Sequence, residues 1–165
     1  MNILSLFQIQ LDHIAQGNLK AIERIPQDKL LWKPHEKSMT LGRLSQHVAE
    51  LPHWIARILE KDHYDFVLDG FKVPEPPTSL QAIIDLYHAK LEAAKAALAN
   101  ADGVDMGIEW QMRRNGAAFD KKPRAQALAH QLDHMVHHRG QLTVYLRLLD
   151  VPVPGLFGPS ADERH

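Results

Sequence analysis

The chain has 165 residues, of which 45% are apolar and 24% are charged, and its formal net charge is −1. The lack of a basic excess argues against a nucleic-acid partner, and the lack of cysteine excludes disulfides, cysteine-ligated zinc and a cysteine nucleophile. No apolar run approaches the roughly 18 residues of a membrane span, and the N-terminal segment lacks signal-peptide features. We expect a single cytoplasmic domain over residues 1–165 with no membrane partner.

The first two predicted helices follow apolar residues that recur at steps of three and four. The first helix begins near Leu4 and ends at Pro26. The second begins at Thr40, a suitable N-cap, and runs to about Lys61. Pro52 lies inside this helix and removes a backbone hydrogen bond, so we expect a bend in the turn that precedes it.

The other two predicted helices have clear start and stop signals. The third follows an N-cap at Thr78 or Ser79 and extends to Leu98. The fourth begins near Pro123, a residue suited to a first helical turn, and runs to about Leu149. Four helices of similar length, each with one apolar stripe, predict an all-α four-helix bundle.

The connections between these helices are long. Residues 62–77 contain several prolines and are predicted to be loop. Residues 104–121 alternate apolar and polar side chains before Asn115-Gly116, a pair that favours a type I′ turn. We therefore expect a small β-hairpin between the third and fourth helices.

The fourth helix contains two histidines, His134 and His138, within the stretch HMVHHRGQ. Side chains four residues apart lie on the same helix face, so two imidazoles can point at one divalent metal ion. The motif differs from the HExxH of zinc proteases because Met135 occupies the position of the general base. A metal site needs at least one more protein ligand.

His47 is the candidate third ligand. It lies in the apolar stripe of the second helix between Leu44 and Leu51, so its ring is expected to point inward. A buried imidazole must have its nitrogens satisfied. Either a metal ion or hydrogen bonds within the core would satisfy them, and both alternatives stay open from these residues alone.

The fourth helix carries an unusual polar stripe, formed by His130, His134, His138, Gln141 and Tyr145. His137 lies one residue off this face and is expected to reach solvent. Gly140 is costly in a helix, which suggests close packing there or a site that needs room. Several other histidines are scattered in caps, loops and the tail: His13, His35, His63 and His165.

Two stretches carry a resemblance to a known family: LGRLSQHVAELPHW (residues 41–54) and the C-terminal segment 130–163, with HxxxHRGQ at its centre. Together they resemble the DinB-like family of bacterial metal-binding proteins. The resemblance implies a four-helix bundle, often dimeric, in which His47, His134 and His138 bind one divalent metal ion. Zinc or nickel is the expected metal, and iron or manganese also accepts imidazole.

The resemblance also implies a chemistry, because some related members are thiol-dependent transferases or isomerases that use low-molecular-weight bacterial thiols, while many others have no assigned activity. The first hypothesis is a metal-dependent thiol transferase acting on a small electrophile, with a homodimer as the assembly. The alternatives are a metal-dependent hydrolase and a non-catalytic bundle that binds metal or a small molecule. A structural dimer, whose histidines only form hydrogen bonds, is the remaining hypothesis.

Further residues are candidates for supporting roles. Glu50 is one turn from His47 and could reach the site, but a surface carboxylate is the favoured interpretation. The pair Arg113-Arg114 on the hairpin could attract an anionic substrate. The aromatic candidates for lining a pocket are Trp54, Trp110 and Tyr145. The C-terminal motif contains three polar residues whose physical role does not follow from the sequence: Ser160, Asp162 and Glu163.

Overall fold

Helices carry most of the chain in the structure, a computed structural model that describes residues 2–163. Within this range there are five α-helices, α1 Ile3–Ile22, α2 Leu41–Glu50, α3 His53–Glu60, α4 Leu80–Ala99 and α5 Arg124–Leu148, and a short 3-10 turn at Gln27–Lys29. Three strands, β1 His63–Asp65, β2 Glu109–Arg114 and β3 Ala117–Pro123, form one small sheet in the order β1-β2-β3. The all-α prediction is therefore corrected to a mostly helical fold with a small sheet.

The N-caps of α2 and α4 follow the rules used to predict them. Thr40 Oγ1 accepts a hydrogen bond from the backbone N–H of Arg43 at 3.2 Å. Ser79 Oγ accepts one from the backbone N–H of Ala82 at 3.1 Å, so Ser79 and not Thr78 caps α4.

The apolar stripes of the helices meet in one core. Helices α1, α2 and α3 each pack against both α4 and α5. The largest fully buried aliphatic side chains are Leu11, Ile22, Leu41, Leu44, Leu51, Ile55, Ile83, Leu98 and Leu128. Among the described residues, no helix has the apolar length that crossing a membrane requires.

Pro52 divides the second predicted helix into α2 and α3, which confirms the expected bend. At the division the backbone forms tighter bonds, from Trp54 N to the Leu51 carbonyl and from Ile55 N to the Pro52 carbonyl, both at 3.1 Å. The amide of Gln131 on α5 also donates to the Leu51 carbonyl at 2.9 Å and is buried. This bond attaches α5 to the end of α2, next to the turn that carries His47.

The predicted hairpin is present as β2 and β3. Its turn residues, Asn115 and Gly116, have φ of 51° and 80°, as a type I′ turn requires. Between Met112 and Arg113 the register shifts, because Met112 pairs with Asp120 whereas Arg113 pairs with Ala118. The extra residue on β3 forms a bulge.

A third strand was not predicted: β1 lies in the segment expected to be loop and pairs in parallel with β2. Asp65, which is 2% exposed, fastens β1 to the hairpin by accepting backbone N–H bonds from Asn115 and Gly116 at 3.1 and 2.6 Å. It also accepts bonds from Val67 and Leu68. Burial raises the pKa of Asp65, but these four donors outweigh it and lower the pKa to about 2.

Candidate metal centre

Two packed helices bring His47, His134 and His138 together. His134 and His138 lie one turn apart on α5, so both rings leave the same face of that helix. His47 lies in the last turn of α2, which packs against α5. Helical periodicity sets the spacing of the α5 pair, and interhelical packing adds the ring of His47.

The three rings converge on one point. The ring centroid of His47 is 5.5 Å from that of His134 and 4.4 Å from that of His138, and the latter two are 4.7 Å apart. One nitrogen from each ring lies within 4.8 Å of the others. Nitrogens that bind one zinc ion at about 2.1 Å are at most about 4.2 Å apart, so small ring rotations suffice. The donor set therefore fits a divalent metal ion.

Gln141 orients one of these rings. Its Oε1 lies 2.7 Å from Nδ1 of His138, and because an amide oxygen only accepts, Nδ1 carries the proton. Nε2 of His138 is then a bare lone pair, 2.8 Å from Nε2 of His134. The amide nitrogen of Gln141 donates to Nε2 of His137 at 3.1 Å. The sequence placed Gln141 in the polar stripe, but its orienting role follows only from these contacts.

The two α5 rings are held in the neutral form that metal ligation needs. Burial lowers the pKa of His134 to about 4, and repulsion from neighbouring histidines, His138 first and then His47, adds to this effect. Burial also lowers the pKa of His138, against the opposing effect of its hydrogen bond to Gln141. Both rings are therefore neutral at pH 7 and can donate a lone pair without first losing a proton.

Glu50 lies next to the cluster and is half-buried. Its Oε2 is 3.9 Å from Nδ1 of His47 and 3.2 Å from Nη1 of Arg43. The surface-carboxylate interpretation is thus replaced by a paired carboxylate beside the candidate site. At 3.9 Å this carboxylate oxygen is too far from Nδ1 for a hydrogen bond, so Glu50 does not occupy that nitrogen of His47.

The other histidines lie outside the cluster. His130 is exposed, and its ring stacks on His134 with centroids 6.3 Å apart. His137 is exposed, as the sequence predicts. His13 lies in α1, His35 in the connection before α2 and His63 in β1. His165 lies outside the described residues.

The three aromatic candidates have different surroundings. Trp110 is 1% exposed and belongs to the core. The hydroxyl of Tyr145 donates to the Met39 carbonyl at 3.2 Å, which fastens the connection between α1 and α2 onto α5. Trp54 lines a cleft of about 410 Å³, and Glu50 lines the same cleft. Of the three, Trp54 is therefore the one placed beside an open volume next to the metal centre.

Two other interpretations of the sequence are not supported by the packing. An added Cβ at Gly140 would meet nothing within 4 Å, so close packing does not explain this glycine. Arg113 and Arg114 lie at the end of β2, where Arg113 Nε donates to Gln111 Oε1 at 2.7 Å. Neither arginine lines the cleft that contains Trp54.

The C-terminal motif forms ion pairs and hydrogen bonds away from the metal centre. Asp162 pairs with Arg147 on α5, and Glu163 pairs with Arg24, which follows α1. Ser160 Oγ accepts the backbone N–H groups of Asp162 and Glu163 at 3.1 and 2.9 Å. These contacts hold the tail against the helices.

Arg139 of the HRGQ motif supports the same tail. It is 2% exposed and donates to the Ile14 carbonyl of α1 at 3.3 Å. Its guanidinium lies over the ring of Phe157 at 5.0 Å. Arg139 therefore stabilises the contact between α1, α5 and the tail.

Comparison with known proteins concerns the family and the fold of the chain. The model of the DinB family matches residues 6–164. The uncharacterized protein YrdA of Bacillus subtilis strain 168 is 28% identical over 149 residues, which is 90% of this chain and 84% of the relative.

Two solved structures have the same fold. A DinB-like protein from Bacillus cereus ATCC 10987 is similar with a TM-score of 0.69 and 23% identity, over 90% of this chain and 94% of that chain. The DinB-like protein YjoA from Bacillus subtilis is similar with a TM-score of 0.68 and 19% identity, over 97% of this chain and 99% of that chain. At these identities the likeness concerns the fold alone.

Proposed function

The chain belongs to the DinB family, and we propose that His47, His134 and His138 bind one divalent metal ion in it. The convergence of three ring nitrogens within 4.8 Å carries this proposal. We also propose that α2 and α3 form one helix interrupted at Pro52, which together with α1, α4 and α5 makes a four-helix bundle. A homodimer is the proposed assembly, and light scattering on the eluting protein would measure it.

The hydrogen bonds of the cluster favour a metal over a purely structural role. Three imidazoles with a purely structural role would be expected to form hydrogen bonds to the protein around them. Among the described residues, the only hydrogen bond between these rings and a residue outside the cluster with a neutral acceptor is the one that Nδ1–H of His138 donates to Gln141. His134 is bonded only to His138, and Glu50 is too far from His47, at 3.9 Å, for a hydrogen bond. One shared ion would satisfy all three rings.

The proposed reaction is the transfer of a low-molecular-weight thiol to a small electrophile. Catalytic metal sites commonly have three protein ligands and one open coordination position. A thiol or a water bound at that position would have a lowered pKa. The sulfur forms a bond to the electrophilic carbon, the leaving group departs from that carbon, and the thiol proton passes to solvent. His47, His134 and His138 hold the site, while Gln141 keeps the His138 ring in the orientation that presents Nε2.

Metal content tests the site. Untagged protein purified without a nickel column should contain about one ion of zinc, nickel, iron or manganese per chain, measured by elemental analysis. The His134→Ala variant should lose the metal, whereas His137→Ala should keep it because His137 is exposed. Metal-free wild-type protein that takes up no added ion would contradict the proposal, as would equal loss in both variants.

Activity tests the reaction separately. Metal-loaded protein is mixed with cysteine, glutathione or another small thiol and a chloromethylarene, and conjugation is followed by mass spectrometry. Conjugation that is lost in His134→Ala supports the transferase. Ester hydrolysis without conjugation would favour the metal-dependent hydrolase, and no turnover with a bound metal would favour the non-catalytic metal-binding bundle.

A further inference from the structure

A cleft lies beside the histidine cluster, between α2–α3, α4 and the connection that follows β1. We call it the α3 cleft, lined by Gln46, His53, Trp54, Arg57, Phe71 and Lys90 among others, and its volume is about 410 Å³. Glu50 lines it as well and lies 3.9 Å from His47, so one carboxylate separates the cleft from the candidate metal centre. A cavity of this size suits a small organic molecule.

Three cations in the lining of the α3 cleft form no ion pair with the described residues. Arg57, Lys72 and Lys90 all line it. None of the three forms an ion pair with another of residues 2–163. Since charged side chains in a cavity focus the local field, these cations favour a negatively charged occupant.

The two carboxylates that line the cleft do not cancel this charge. Glu50 pairs with Arg43 at 3.2 Å, and Arg43 lies outside the lining. Asp69 pairs with Lys61 at 3.3 Å, and Lys61 also lies outside it. Each acid is therefore neutralised from outside the cleft, and the excess charge inside is positive.

Aromatic rings provide an apolar wall and hold one of the cations in place. The guanidinium of Arg57 lies 4.3 Å from the ring centre of Tyr64 and 5.3 Å from that of Trp54. A guanidinium stacked in this way keeps its N–H edge free to form two parallel bonds to a carboxylate. Phe71 is 47% exposed at the rim, where it can cover an apolar group.

Two polar atoms in the wall lack partners. Gln46 is 9% exposed and donates to the Glu75 carbonyl at 2.9 Å, but its Oε1 has no hydrogen-bond partner among the described residues. Nδ1 of His53 has none either. Burial lowers the pKa of His53 to about 4, and repulsion from Lys90 and Arg57 contributes, in agreement with a positive cleft. Both atoms are enclosed in the wall, and an amide oxygen accepts hydrogen bonds but offers none to an anion, so the preference of the cleft for a carboxylate rests on its cations.

We propose that the α3 cleft binds a small carboxylate with an aromatic body, and that the electrophile of the metal-dependent reaction is such an anion. Arg57 and Lys90 bind the carboxylate, and Trp54 and Phe71 contact the ring. The charges and shape of the α3 cleft support the binding of a carboxylate, whereas the role of the cleft as the substrate site rests on the proposed function.

Calorimetric titration with two probe acids, 2-naphthoate and 3-phenylpropionate, tests the binding against their neutral amides. The acids should bind about ten-fold more tightly, since charge-assisted bonds exceed neutral ones by roughly that factor. Arg57→Gln and Lys90→Gln, which lie on different helices, should each weaken 2-naphthoate by about ten-fold. The matched control is Lys95→Gln, on the same helix as Lys90 but paired with Asp12 at 2.9 Å, and it should leave binding unchanged.

Equal affinity for acid and amide, or equal weakening by Lys95→Gln, would overturn the carboxylate site. The same titration in metal-free His134→Ala should give unchanged binding. If His134→Ala lost 2-naphthoate binding while Arg57→Gln kept it, the anion would bind at the metal and not in the α3 cleft. Carboxylate binding in the α3 cleft needs no metal ion, so the titration tests the cleft even if the protein binds no metal.

The substrate role has its own measurement. Where conjugation occurs, 4-(chloromethyl)benzoate should react with a higher kcat/KM than its methyl ester, and Arg57→Gln should abolish the difference. In this reaction the carbon–sulfur bond replaces the carbon–chlorine bond, chloride leaves, and the thiol proton passes to solvent. Equal rates for acid and ester would refute the substrate role even if the cleft binds carboxylates.

Discussion

Replacing Gln141 with leucine should weaken metal binding although Gln141 is not a proposed ligand. In the structure Gln141 Oε1 lies 2.7 Å from Nδ1 of His138 and keeps the proton on that nitrogen. Leucine cannot accept this bond, so the His138 ring is free to rotate and to change tautomer. Residues that orient a metal-binding histidine commonly change affinity by about 10- to 100-fold. Because Gln141 is exposed and water can replace part of the bond, we expect the lower end, about ten-fold, or about 1.4 kcal/mol.

Competition for zinc against a chromophoric chelator at pH 7.5 measures this change on metal-free protein. Gln141→Glu should retain the affinity, because a carboxylate accepts the same bond. Gln126→Leu makes the matched substitution at an exposed position of α5 and should have no effect. If Gln141→Leu binds zinc as tightly as the wild type while His134→Ala does not bind it, the orienting role is refuted.

Three further predictions concern protonation and stability. In metal-free protein, NMR titration of His134 should give a midpoint near pH 4, as its lowered pKa requires. Between about pH 4 and 6.5 the unfolded chain then binds more protons than the folded chain, so metal-free protein should lose stability as pH falls through that window. A His134 midpoint near 6.5 would contradict both the lowered pKa and this loss of stability. Asp65→Asn should lower the urea midpoint at pH 7 but have little effect at pH 2. The stability that comes from the lowered carboxyl pKa is present above about pH 4 and disappears as pH falls towards 2. An unchanged midpoint at pH 7 would show that the hydrogen bonds from the hairpin to Asp65 contribute nothing to stability. Gln131→Leu should cost about 1–2 kcal/mol of unfolding free energy by removing the bond to the Leu51 carbonyl, with Gln126→Leu as the exposed control, and equal values for the two variants would exclude that bond as a stabilising contact.

The helices were the predictable part of the fold. Their apolar stripes and N-caps depend on residues three and four positions apart, which are near in the sequence. The break at Pro52 and the turn at Asn115-Gly116 were also readable, because proline removes a donor and glycine permits positive φ wherever they stand.

Strand β1 was missed for a physical reason. Three residues, His63–Asp65, are too few to form a recognisable alternation, and their partners lie at Gln111–Arg113. The strand is held by its pairing with β2 and by the buried carboxylate of Asp65, which accepts backbone N–H groups from the distant hairpin turn. Contacts of this separation leave no periodic signal in the sequence.

The sequence by itself determined that His134 and His138 share a helix face, since the geometry of any α-helix places residues four apart together. Only the tertiary structure decided which other side chains reach that face. The packing of α2 on α5 places His47 beside the pair, and the packing of α2 and α3 on α4 forms the α3 cleft, which Glu50 lines. A helix specifies neighbours along one chain segment, whereas contacts between helices depend on how whole apolar faces fit together, and that fit is a property of the folded molecule.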